Sequence, residues 1–85
     1  MGQQEKFIER LFHHPTPNDI NYREAKSFLE SIGCKHVKRR GTSHRVFKYP
    51  GYRKNITLME TECLRMYQVH DIRDLLVSIG IVEED

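Results

Sequence analysis

Gly41, Thr42, Ser43 and His44 follow one another in the middle of the chain, with Lys38, Arg39 and Arg40 just before them and Arg45 and Lys48 just after. A histidine can take a proton from a ribose 2′-hydroxyl or give one to a leaving oxygen, because both forms of an imidazole are accessible near neutral pH. RNA carries its own nucleophile. A positioned base with a few cations around the phosphate is then enough, and no metal or other cofactor is implied. The neighbouring lysines and arginines can hold the backbone and stabilise charge developing on the phosphate. Single-stranded RNA is the expected cleaved form, since in-line attack needs a flexible sugar-phosphate unit.

The charge distribution points the same way. The net charge of the 85-residue chain is only +2, yet no Asp or Glu occurs between Glu30 and Glu60, a stretch that holds eight lysines and arginines. Such an asymmetry creates a local positive field suited to phosphate backbones. Competing readings stand beside this one. His44 could be an exposed strand histidine without a role, and the basic run an ordinary solvated edge whose lysines discourage strand pairing. Cys34 and His36 form the nearest metal-ligand pair, but no second pair at ligand spacing accompanies them. Cys34 and Cys63 are too few for a disulfide scaffold and read as half-buried small residues in a reducing cytoplasm. No signal peptide or membrane span is expected after Met1-Gly2-Gln3-Gln4, because no long apolar run follows.

The elements that must position these residues follow from periodicity. Phe7, Ile8, Leu11 and Phe12 predict a short helix over residues 3–12, ended by Pro15 and Pro17, with His13 and His14 near its negative end. Asn21 and Glu24 have the spacing of a capping box ahead of Tyr22, Ala25, Phe28, Leu29 and Ile32, and Gly33 can stop that second helix. Strand character covers residues 34–40, 43–49 and 55–59, with turns at Gly41-Thr42 and Pro50-Gly51. In the middle run Arg45, Phe47 and Tyr49 alternate with His44, Val46 and Lys48, which sets the ring-bearing face opposite the His44 face. Phe47 belongs to the core on this pattern, and Tyr49 and Tyr52 are candidates for stacking on bases. Residues 60–67 read as a loop. Val69, Ile72, Leu75, Leu76 and Ile79 predict a last helix over 68–79 closed by Gly80, with Arg73 and Asp74 solvated and His70-Asp71 at its start. The expected architecture is one α+β domain, a three-stranded antiparallel sheet with helices on one face, plus an extra N-terminal helix. Residues 1–20 form that helix and a proline tether, and residues 21–85 the main domain.

The segment Val37-Lys38-Arg39-Arg40-Gly41-Thr42-Ser43-His44-Arg45-Val46-Phe47, in this order of elements, resembles the signature of the HicA family of bacterial and archaeal toxins. The resemblance covers roughly residues 21–81, with residues 22–33 similar to the family's first helix and 67–80 to its last. The arm from Leu11 to Pro17 resembles an extension found in one branch. Two residues, Thr42 and Ser43, separate the glycine from the histidine here, where many members have one. The resemblance implies a fold like that of double-stranded-RNA-binding domains and an mRNA-cleaving toxin, stress-related and held in check by a HicB antitoxin. It also implies that Gly41 is the turn glycine, Ser43 the small polar residue and His44 the active histidine. The alternative is a non-catalytic RNA-binding module with the same fold, or a domain whose basic face serves only to receive an acidic antitoxin.

Overall fold

Which face of each strand meets the helices is decided by the central strand. The computed structural model describes residues 3–13, 15–38, 41, 44–60 and 62–82, with residues 3, 4 and 38 followed through the backbone alone. Among them the order is α1 (Gln3–Leu11), α2 (Tyr22–Ser31), β1 (Lys35–Lys38), β2 (His44–Lys48), β3 (Ile56–Met59) and α3 (Met66–Ser78). The sheet is an antiparallel meander, β1-β2-β3. Phe47 stands opposite His36 and Ile56, and Arg45 opposite Leu58. Directly opposed residues share a face and successive ones alternate. One face therefore carries His36, Arg45, Phe47, Ile56 and Leu58. Lys35, Val37, His44, Val46, Lys48, Thr57 and Met59 lie on the other.

Phe47, Ile56 and Leu58 are buried in a single cluster with Phe7 and Leu11 of α1, Ala25, Phe28 and Leu29 of α2, and Val69, Ile72, Leu75 and Leu76 of α3. All three helices thus cover one sheet face in a two-layer α+β arrangement. On the other face Lys35, Val37, His44 and Lys48 are exposed. The capping box of α2 forms as its spacing suggests: Asn21 Oδ1 accepts from the Glu24 amide at 2.9 Å, and Glu24 Oε2 accepts from the Asn21 amide at 3.3 Å. Gly33 ends the helix at φ +108°, a backbone conformation that a side chain would strain, although an added Cβ would meet the Tyr49 ring at an ordinary contact distance of 3.8 Å.

The N-terminal helix shares this core. The Phe7 and Phe28 rings stack at 4.7 Å, Leu11 is completely buried, and Ile20 at the end of the proline segment is buried too, its carbonyl accepting from the Leu64 amide at 2.8 Å. Arg73 departs from the solvated role expected of it. It is half-buried; its Nε donates to the Leu11 carbonyl, a second nitrogen donates to the His13 carbonyl at 3.3 Å, and its guanidinium lies 5.5 Å from the centre of the Phe12 ring. The last carbonyls of a helix lack partners within it and carry its negative pole, so a cation from α3 satisfies both needs of α1 at once. At its other side Arg10 donates to Glu24 at 2.9 Å and lies 3.7 Å from Asp19, which joins α1 to the cap of α2.

The last helix begins at Met66, earlier than the apolar period implies, and so the loop before it is shorter than expected. The reason is Gln68, a polar residue without a place in an apolar pattern. Its side chain is buried, its Oε1 accepts from the Arg65 amide at 2.8 Å and its Nε2 donates to the Thr57 carbonyl at 3.1 Å. Gln68 thereby starts α3 and covers part of the outer edge of β3, where unpaired backbone would otherwise face solvent. Cys34 is buried, and burial pushes its thiol up to about 11. Cys63, expected to be half-buried, is exposed.

Because Leu11 is fully enclosed, Leu11→Asp should lower the unfolding free energy by about 2 kcal/mol or more in urea denaturation. An unchanged midpoint would mean that α1 does not pack as described. The hydrogen bond from Arg10 holds the Glu24 carboxyl below the usual carboxylate range. A depressed folded-state value contributes stability above the unfolded value, and that contribution is lost as pH falls through the folded one. Glu24→Gln should therefore cost a few tenths of a kcal/mol at neutral pH, a partly exposed pair being screened, and nothing at pH 2. Melts of both proteins across that range check the sign.

Candidate nucleic-acid interface

The strand that places Phe47 in the core places His44 outside it. His44 opens β2 and is exposed, opposite Met59 on β3. Gly41, in the preceding turn, has φ +74°, a left-handed conformation that a side chain would strain, and among the described residues no atom crowds the place of its missing Cβ. The glycine is thus required by backbone conformation and not by a close approach. Ser43, Arg39 and Arg40, named above as site residues, lie outside the described residues, as does Thr42. Lys38 is placed through its backbone, which pairs with Arg45.

Among the cations that can be placed, the face of the strand sorts them. Arg45 shares the helix-covered face with Phe47; it is half-buried, forms an ion pair with Glu60 at the end of β3, and one of its nitrogens donates to the His44 carbonyl at 3.1 Å. Arg45 is therefore a clamp that joins β2 to the end of β3. Lys48 stands on the His44 face and is exposed. Opposite it on β1 is Lys35, also exposed. Lys35 belongs to the basic run, but only the strand register shows that it neighbours Lys48. Arg53 and Lys54 sit past the Pro50-Gly51 turn, beyond the other end of β2 from His44. They line an open concavity with Tyr52, Asp74 and Ser78 that shares no residue with the Gly41–His44 turn.

Neither tyrosine named for base stacking is a free platform, since Tyr49 and Tyr52 are both half-buried against the core. Tyr67, at the start of α3, is the exposed ring instead. The sequence signal for it was hidden in a stretch without periodicity. His36, the nearest companion of Cys34 as a metal ligand, stacks on Phe47 with ring centres 4.6 Å apart and planes 10° apart. Among the described residues no three His, Cys, Asp or Glu side chains converge to hold a metal ion, and no helix is long and apolar enough to cross a membrane.

No family model, characterised protein or solved structure matches this chain.

If Arg45 is a clamp, its stabilising effect should depend on Glu60. Arg45→Ala should cost about 1 kcal/mol, and the cycle completed with Glu60→Ala and the double variant should give a coupling of several tenths of a kcal/mol. Strictly additive effects would show that the pair does not act together.

Proposed function

We propose that this chain is a HicA-type toxin, an endoribonuclease or mRNA interferase that cuts RNA with His44 and is restrained in the cytoplasm by a HicB-like antitoxin. The observation that carries the reading is the position of His44: exposed, at the first residue of the central strand, beside a turn that needs glycine, on the sheet face without helices. A base held by a strand is oriented, and one on an open face is reachable by an extended substrate.

In the proposed reaction His44 accepts the proton of a ribose 2′-hydroxyl as the 2′-oxygen attacks the adjacent phosphorus. The bond from phosphorus to the 5′-oxygen breaks, the leaving oxygen takes a proton, and the products are a 2′,3′-cyclic phosphate and a 5′-hydroxyl end. Every atom in this step comes from the RNA, apart from protons exchanged with the imidazole and water. Ser43 adjoins His44 as the small polar residue of the resemblance. Arg39 and Arg40 precede the turn in the sequence, whereas Lys38 pairs with Arg45 at a register position on the helix-covered face. Lys48 lies farther along the strand on the His44 face, so phosphates on both sides of the cut would meet cations. Arg45, held by Glu60, keeps the strand in place.

The test is incubation of the purified chain with an end-labelled single-stranded RNA. Cleavage giving cyclic-phosphate ends is expected, with His44→Ala slower by at least about 100-fold, the ordinary scale of general acid–base help. The circular dichroism spectrum should not change, and growth arrest in cells expressing the chain should disappear with the same substitution. A folded His44→Ala protein that still cuts RNA would overturn the assignment. RNA binding without any cleavage by the natural chain would leave a non-catalytic RNA-binding module.

A further inference from the structure

Lys35 and Lys48 are directly opposite each other across β1 and β2, on the exposed sheet face. Like charges in that relation repel, because cross-strand neighbours on one face stand about 5 Å apart at Cβ. Among the described residues neither lysine takes part in an ion pair. No carboxylate occurs in the sequence between Glu30 and Glu60 to supply one locally. A bare pair of this kind weakens the free protein, and an anion between the two ammonium groups removes the repulsion.

We propose that Lys35 and Lys48 together form a phosphate clamp for a single RNA strand that lies along β2, four residues from His44. The separation along the strand is about 13 Å at the usual rise per residue. A phosphate at the clamp is therefore not the one at the reacting bond, and the two contacts set the direction of the strand across the sheet. Val46, between them on the same face, is apolar and gives the strand no charged competitor. The chemistry required of the occupant is regularly spaced anionic groups on a narrow chain. This inference rests on reading the open face as the RNA-facing one, and it needs binding, not cleavage.

The experiment uses the full chain carrying His44→Ala, so that the RNA stays intact, and a fluorescently labelled decauridylate as probe. The slope of log affinity against log salt should become shallower by about 0.7 when both Lys35→Ala and Lys48→Ala are added, since the one phosphate held between them contributes about 0.7 on a single strand. In the absence of RNA, Lys48→Ala should raise the melting temperature at 20 mM salt and leave it unchanged at 1 M, where the repulsion is screened. In a Lys35→Ala background that rise should vanish. An unchanged slope, or a melting temperature indifferent to Lys48 at low salt, overturns the clamp. Equal affinity and an equal slope change with a poly-glutamate peptide overturn the RNA occupant in favour of an acidic protein. If the natural chain fails to cut RNA but the slope changes as stated, the catalytic reading falls and the clamp stands.

Discussion

Phe47 is the fully buried side chain of the central strand, and the faces of the whole sheet follow from its burial. It stacks on His36 from β1, stands 6.4 Å from the Tyr22 ring of α2, and is paired with Ile56 on β3. A slip of one residue in β2 would send Phe47 into solvent and His44 into the apolar layer, an exchange no neighbour could accommodate. The outward position of His44 and Lys48 is thus a consequence of packing on the opposite side.

Strong local patterns explain what was legible in advance. The capping box at Asn21 and Glu24, the apolar stripe of α3 and the alternation through β2 are written in residues close together in the chain, and each forms. The eight cations were harder to sort. Their concentration between Glu30 and Glu60 is visible as composition, but whether a given one faces the helices or solvent depends on register. In β1 only Val37 is clearly apolar, so no period there announces that Lys35 will meet Lys48. The alternation in β2 does put Arg45 on the Phe47 side; that it is held by Glu60, from beyond the next strand, is a long-range fact.

Two other residues evaded a reading by type. Arg73 looks like a solvated helix charge until the C-terminal carbonyls of α1 are brought beside it, and Gln68 looks like an ordinary first residue of the last helix until the edge of β3 supplies an acceptor. Both are polar side chains whose role is set by unpaired backbone elsewhere. Periodicity can mark the faces of helices and strands. It cannot mark which exposed backbone ends will later need a donor.

The position of α1 bears on how such a small chain can carry a repulsive outer face. A like-charged cross-strand pair costs a few tenths of a kcal/mol up to about 1, and a domain of this size has little stability to set against it. Burying one large apolar side chain contributes about 1.5–3 kcal/mol. Phe7 and Leu11 supply two such side chains from a helix that adds nothing to the open face, and Arg10 and Arg73 fasten that helix to the cap of α2 and to α3. The layer that stabilises the domain is therefore separated by the thickness of the sheet from the layer that presents His44, Lys35 and Lys48. Charge on the outer face can then be arranged for a polyanion without unpaired cations having to enter the core.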